Sequence, residues 1–407
     1  MGNTEKSGRQ RWLLVVAGGL IMGGALGIRH VQGLFMQPVI LDRGWSREAF
    51  GFALALQNLV WGLAQPFTGM IADRFGSLRV LLAGALVYAA GLAWMALSPT
   101  LAGFTWGNGV LVGMGLSGTA FGVVYGALSR LFAPQQRAWA LGMAGAIGGL
   151  GQFVVVPSTQ ALLGGLGWST VALVLAGCMA GLAPLALCLR GEAQAPAAHE
   201  AQQSLAQAIR EAFAHRGFWL LNLGFLACGF QLAFIGAHLP SYLLDQGLGA
   251  REAGACLAII ALANVAGTYL CSHAGELARR KHVLALLYLV RALAMAVFVW
   301  LPVSAASAYV FSFVMGLLWL GTAPLTNALV SQIFGVRYIA TLFGFVFFGH
   351  QLGGFLGAWL GGVVFDATHS YQWLWFASVA LGLLAAVLHW PIDDRPLLRR
   401  PLAAGMA

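Results

Sequence analysis

The chain has 407 residues, of which 59% are hydrophobic and only 9% are Asp, Glu, Lys or Arg, with a net charge of +9. A soluble domain carries about 25% charged residues, so a water-exposed globule of this length is excluded, as is a disordered chain. The 55 glycines suit helices that pack closely in lipid, and the expected class is an all-α membrane protein.

A span needs about 20 apolar residues. On that measure the pattern predicts helices at 13–40, 49–71, 80–98, 101–127, 138–163 and 169–189. A polar stretch at 190–216 follows, and then helices at 217–243, 253–273, 283–300, 305–330, 338–365 and 372–390. Twelve spans divide the chain into an N-terminal six-helix bundle (1–189), a linker (190–216) and a C-terminal six-helix bundle with a tail (217–407). The linker begins rich in Ala, Gln and Pro. It ends with Leu205, Ile209 and Phe213 at i, i+4 and i+8, the spacing of a short amphipathic helix lying on a membrane face. The halves are faintly alike: Gly69 to Arg74 aligns with Gly275 to Arg280, and Ser129-Arg130-Leu131-Phe132 with Ser331-Gln332-Ile333-Phe334. Such repeats are common in secondary transporters.

Of the 22 Lys and Arg residues, seventeen fall in the termini and the even-to-odd loops. Three (Arg43, Arg47, Arg251) fall on the opposite side, and Arg29 and Arg291 lie within spans. The positive-inside rule then places both termini in the cytoplasm. Arg outnumbers Lys twenty to two, which with abundant Ala and Gly points to a GC-rich bacterial source and hence to the inner membrane. Lys6, Arg9 and Arg11 precede an apolar run without a cleavage-type stretch, so no cleaved signal peptide is expected. The five cysteines are odd in number and lack CxxC spacing, so they are expected as packing residues rather than disulfides or metal ligands. No P-loop, nucleophile–base motif or metal-ligand cluster occurs. The expectation is therefore no enzyme, no cofactor and no metal, and the scattered basic residues give no nucleic-acid surface.

The loop after the second helix reads Gly69-Met70-Ile71-Ala72-Asp73-Arg74-Phe75-Gly76-Ser77-Leu78-Arg79. This resembles the G-x-L-x-D-R-x-G-x-R signature of the major facilitator superfamily. With twelve spans in two halves, the resemblance covers nearly the whole chain. It implies the fold of that family: two pseudo-symmetric six-helix halves, a cavity lined by helices 1, 4, 7 and 10, and alternating access to a midplane site. Gly69 is expected to let two helices approach and Gly76 to permit a tight turn. Asp73, with Arg74 and Arg79 beside it, is implied as a latch on the inner gate, facing the positive end of helix 11. In the second half Arg279 stands where Asp73 would be, so no matching latch is expected there. A narrower resemblance links Gly27 to His30 with Gly33-Leu34-Phe35, Gln231 to Ile235 with His238-Leu239-Pro240, and Phe347 to Gln351 with bacterial monocarboxylate and oxalate–formate type porters. The Asp-Arg pair usual in helix 8 of monocarboxylate porters is missing, and His350 is the nearest basic group in helix 11.

All thirteen acids lie outside the spans or at their ends. A charge at the bilayer centre costs about 2.5–3.5 kcal/mol on insertion scales, so Arg29 and Arg291 need a reason. An anionic substrate would complete the charge pair, and a cationic drug would be repelled. Arg29 in helix 1 is the candidate carboxylate binder. Arg291 in helix 9 is expected to pair with polar groups of helix 8, such as Asn264 or Thr268. His238 and His350 are candidates for substrate hydrogen bonding or for carrying a coupled proton; His30 cannot share Arg29's direction. Gln231, His238 and Tyr242 recur on one face of helix 7. Gln57, Trp61 and Gln65, with Asn58 alongside, mark helix 2, and Trp319 and Asn327 mark helix 10. The reading is a monomeric secondary transporter in the lipid bilayer for a small organic anion, such as a monocarboxylate, by proton coupling or exchange. Efflux of a neutral or amphipathic compound and a non-transporting receptor are the alternatives.

Overall fold

The structure is a computed structural model that describes residues 8–132, 134–190, 204–335 and 338–397; every regular element in them is helical. Eleven described segments are long and apolar enough to cross a membrane. In chain order with the twelfth, α2, the helices are α1 (Gly8–Arg43), α2 (Arg47–Phe75), α3 (Ser77–Leu97), α4 (Leu101–Leu131), α5 (Pro134–Gly165) and α6 (Trp168–Leu189). The second set is α7 (Arg216–Asp245), α8 (Ala250–Leu277), α9 (Arg280–Trp300), α10 (Ala305–Phe334), α11 (Ile339–Thr368) and α12 (Gln372–His389). The apolar run of α2 is diluted by Gln57, Asn58 and Gln65, all of which face protein rather than lipid. Its amphipathicity therefore reports a role inside the bundle.

Lipid offers no hydrogen bonds, so backbone can leave the helical ladder only where protein satisfies it. Four spans use that allowance, α6 among them with a 3-10 segment at Ala183–Leu189. α1 tightens through a 3-10 turn at Gln32–Phe35. α4 carries a π-turn at Trp106–Leu111 and breaks at Ala120, and α10 breaks between Leu317 and Thr322. The breaks in α4 and α10 occupy equivalent places in the two halves. Each sits on a Gly-Thr-Ala triplet, Gly118-Thr119-Ala120 and Gly321-Thr322-Ala323.

Small residues set the helix spacing. An added Cβ on Gly23 would lie 3.2 Å from the Gly148 backbone, joining α1 to α5. On Gly357 it would lie 2.2 Å from the Phe230 carbonyl oxygen, joining α11 to α7. Outside this core, Trp94, Leu97, Trp300, Trp373 and Val387 are largely exposed and form part of the lipid-facing belt.

We call the end of the bundle that carries the described chain ends the terminal end, and the other the distal end. The halves meet at the distal end, where the turn of α1 presses on α7 and α2 on α11; an added Cβ on Gly362 would lie 2.4 Å from the Arg47 carbonyl oxygen. Contact continues to about Gly62 against Gln351 and Gly149 against Val265. Beyond, it thins: an added Cβ on Gly344 of α11 lies 3.9 Å from Pro66 Cγ of α2, and one on Gly69 or Gly142 meets nothing within 4 Å. The space between the halves thus opens toward the terminal end.

The linker's second part is a helix, Leu205–Ala214, begun by a Ser204–Gln207 capping box. Ala208 and Ala212 are buried, and Phe213 packs on Phe218, Trp219 and Phe345. The linker's first part lies outside the described residues. After α12 the chain straps across the terminal end. Lys281 donates to the Ile392 carbonyl at 2.7 Å, Gln332 to that of Asp394 at 2.8 Å, and Arg279 holds the Asp394 carboxylate. That bond keeps the Asp394 carboxyl below its ordinary range. The acid that the second-half motif lacks is thus supplied by the tail, within the same half. His389 is fully buried, stacked on Tyr288 with its Nδ1 on the Ala385 carbonyl.

Replacing Gly357 by Val is expected to lower the melting temperature by several degrees or to abolish monodisperse protein, because α7 must move. Gly142→Ala is expected to be neutral or slightly stabilising. Size-exclusion profiles and melting curves of the two purified variants check the contrast.

Candidate functional site

Six side chains from α1, α2 and α11 close a ring at the middle of the bundle. Arg29 donates to Asn58 Oδ1 at 2.5 Å, and its guanidinium lies over the Trp61 ring, 5.3 Å from the centroid. Gln351 donates to the Asn58 carbonyl at 3.3 Å, and its Oε1 is 3.0 Å from His350 Nδ1. His350 stacks parallel to Phe347, and Phe347 meets Trp61 edge-on at 5.3 Å, back at Arg29. Local sequence explains the register. Asn58 and Trp61 are three apart on α2, and Phe347, His350 and Gln351 are spaced by three and four on α11, so each set shares a helix face.

The ring's electrostatics are one-sided. A guanidinium has five N–H donors. Among the described residues only Asn58 accepts from Arg29, and Nε is buried without a partner. The Trp61 face adds a cation–π contact but no acceptor. Asn58 is itself fixed, its amide donating to the Leu54 carbonyl at 2.9 Å, and Trp61 donates to Gln65 at 2.7 Å. The arrangement can therefore offer charge-assisted hydrogen bonds to an anion between a polar edge and an aromatic wall.

The remaining residues singled out in the sequence lie elsewhere. Gln57 turns away and donates to the carbonyl and side chain of Asn108 in α4, both at 3.1 Å. Gln231 donates to the Ser378 carbonyl in α12 at 2.8 Å. His238 is fully buried between Tyr371 Oη (3.1 Å from Nδ1) and the Ala358 carbonyl (2.8 Å from Nε2). Tyr242 joins Phe298, Tyr371 and Trp375 in an aromatic cluster at the distal end. His30 faces away from Arg29, its Nε2 2.9 Å from the Leu257 carbonyl of α8, with Trp319 edge-on. Asn327 is exposed on α10.

Arg291 is a correction. It does not pair with Asn264 or Thr268. Its Nη1 donates to Cys228 Sγ at 3.2 Å and Gln231 Oε1 at 3.3 Å, and its Nη2 to the carbonyls of Leu318 and Trp319. The break in α10 frees those carbonyls, and a buried guanidinium is the group able to reach several acceptors at once. Asn264 serves the same break by accepting from the Leu320 N–H at 3.0 Å.

In the loop between α2 and α3, Gly76 has φ +88, the left-handed turn expected of it. Gly69 does not mediate a close approach here, since an added Cβ would meet nothing within 4 Å. Arg74 is exposed, lying over Phe75, and Arg79 is exposed; the Asp73 side chain lies outside the described residues.

The Major Facilitator Superfamily profile matches residues 10–358. The chain is 26% identical over 397 residues to the uncharacterized MFS-type transporter YcxA of Bacillus subtilis, covering 94% of this chain and 95% of that one. It is 27% identical over 402 residues to monocarboxylate transporter 11 of Homo sapiens, covering 93% and 82%. The fold superposes on the crystal structure of a D-xylose-proton symporter with a TM-score of 0.72 at 16% identity, over 96% of this chain and 99% of that one. The chain therefore belongs to the Major Facilitator Superfamily; it is a multi-pass membrane transporter of small molecules and not an enzyme.

The two buried arginines are expected to separate in their variants. Arg291→Ala should destabilise the fold strongly, at about 1–3 kcal/mol for each α10 carbonyl left without a donor. Arg29→Ala should leave the melting temperature nearly unchanged, since it strands only one acceptor, Asn58 Oδ1. Parallel melting curves test this.

Proposed function

We propose that the chain is a secondary active transporter for a small organic anion, most simply a monocarboxylate, held by Arg29. One observation carries the reading: a cation placed mid-membrane that has, among the described residues, a single hydrogen-bond acceptor, the amide oxygen of Asn58, and no carboxylate. Asn58 steers the guanidinium, and the carboxylate would take the remaining N–H donors in parallel. Trp61 and Phe347 would contact a short carbon chain. One free charge favours a monoanion over a dianion. His350, a member of the ring and partly exposed, is the candidate for a further hydrogen bond or a coupled proton; symport and exchange both fit. The name of the human relative, a monocarboxylate transporter, adds weight.

Orientation follows from the charge count: both termini in the cytoplasm of a bacterial inner membrane. On that assignment the site faces the cytoplasm in this state. Asp73, with Arg74 and Arg79, would hold the inner gate in the opposite state. A monomer suffices, because the ring lies within one chain.

The test is the melting temperature of the purified protein against small carboxylates, neutral solutes and hydrophobic cations. A ligand of the folded state raises it by mass action. One class of carboxylate should stabilise the protein. Arg29→Gln should weaken that ligand by about 10–100-fold, the worth of a charge-assisted bond at about 1.5–3 kcal/mol. Stabilisation by neutral or cationic compounds alone, or an unchanged affinity in Arg29→Gln, would overturn the reading.

A further inference from the structure

At the distal end Arg47 and the first turn of α2 make a second, separate set of contacts. The Arg47 side chain is 7% exposed. Its guanidinium donates in parallel to the two oxygens of Asp245, at 2.5 and 2.7 Å, and to Tyr371 Oη at 3.0 Å. It lies flat on Phe365, 3.6 Å from the ring centroid. Behind it, Tyr371 Oη meets His238 Nδ1, so the chain of bonds runs on to the Ala358 carbonyl. Every one of these partners belongs to α7, α11 or the start of α12, in the half opposite to Arg47.

The backbone repeats the pattern. The first four N–H groups of a helix lack partners within it. In α2, Ser46 Oγ takes the Ala49 N–H at 3.1 Å. Asp366, near the end of α11, takes the two before it: Arg47 N–H at 3.2 Å and Glu48 N–H at 2.7 Å. A carboxylate from one half thus caps a helix of the other, with the helix dipole in its favour. Packing is as close as the bonds, since Gly362 lies directly under the Arg47 backbone.

We propose that Arg47 and Asp366 form the latch that keeps the distal end closed in this conformation, and that releasing both is the step that opens it. The contacts are suited to reversal. Asp245 is 30% exposed and Asp366 is partly exposed, so water is at hand to replace each bond as it breaks. An apolar seam of the same area would offer no such exchange. Nothing in the latch touches the Arg29 ring, so it sets the balance between conformations rather than the choice of ligand.

The experiment measures distances by spin-label spectroscopy in the full chain without ligand, with the five native cysteines replaced. One label pair reports the distal end, on the exposed residues Leu41 and Arg251, which lie in different halves. A second reports the terminal end, on Phe75 and Leu277. Arg47→Ala and Asp366→Ala should each raise the population with a long distal distance several-fold, with a matching shortening at the terminal end. Asp366→Asn, which keeps one capping oxygen, should fall between Asp366→Ala and the unaltered protein, and Arg47→Lys between Arg47→Ala and the unaltered protein. Unchanged distal distances in the alanine variants would overturn the proposal. If those variants fail to fold, unchanged distances in the two conservative ones would do the same. No substrate is added, so failure of the organic-anion reading would leave this result standing.

Discussion

A guanidinium inside a bilayer is tolerable only when protein supplies what water would have supplied, and this molecule answers that demand in two ways. Arg291 is surrounded by neutral acceptors: a thiol, an amide oxygen and two backbone carbonyls released by the break in α10. It repairs the helix through both of its Nη atoms, while its Nε, like that of Arg29, is buried without a partner. Arg29 has one amide oxygen and an aromatic face, and its remaining capacity faces a space that opens toward the terminal end. The two cations differ in this count of acceptors, and the proposal for Arg29 rests on it. Burial does not decide it, since both lie within the bundle.

Much of this was legible in the chain itself. Composition fixed the class, and the apolar runs gave twelve spans to within a few residues, because a bilayer imposes one length on every helix. The Asp-Arg loop after helix 2 led to the right family. Arg29 stood out as a candidate by the same physics that makes a buried charge costly. What escaped was partner choice. Gln57 and Asn58 are neighbours in sequence, yet they point to α4 and to the ring respectively. The face that each occupies depends on how α2 is rotated against α4 and α11, which no local pattern reveals. Arg291 was assigned to the wrong neighbours because its acceptors arise from irregular backbone. The signal existed: the Gly-Thr-Ala triplet, repeated in both fourth helices, marks the break. Arg47 looked like one of three charges on the sparse side. Its use depends on Asp245 and Asp366, about 200 and 320 residues away.

The ring also shifts attention away from the helices that the family resemblance places around the cavity. Its members come from α1, α2 and α11, and the most polar faces of α7 are occupied within their own half. Gln231 serves α12 and Arg291, and His238 serves Tyr371 and the α11 backbone. Polar residues on a cavity-lining helix are therefore not a sufficient sign of a binding role. In lipid any such group must find a partner, and the neighbouring helix is the nearest source.

α2 and α11 thus share two tasks along one contact. Midway they carry Asn58, Trp61, Phe347, His350 and Gln351, and at the distal end Arg47 and Asp366. Asn58 receives bonds from both halves at one residue, from Arg29 on its side chain and from Gln351 on its backbone. On the organic-anion reading, a carboxylate that takes the remaining donors of Arg29 pulls on the guanidinium that Asn58 Oδ1 holds. Any turn of Asn58 that follows is felt at once by Gln351, across the boundary between the halves. Binding would then bear on the packing of the very helices whose far ends the latch joins. Occupancy and conformation are tied through a short run of packed residues, with no need for a separate relay. A rigid pair of helices with a ligand-sensitive contact in the middle and a water-exchangeable latch at one end has the parts that alternating access demands.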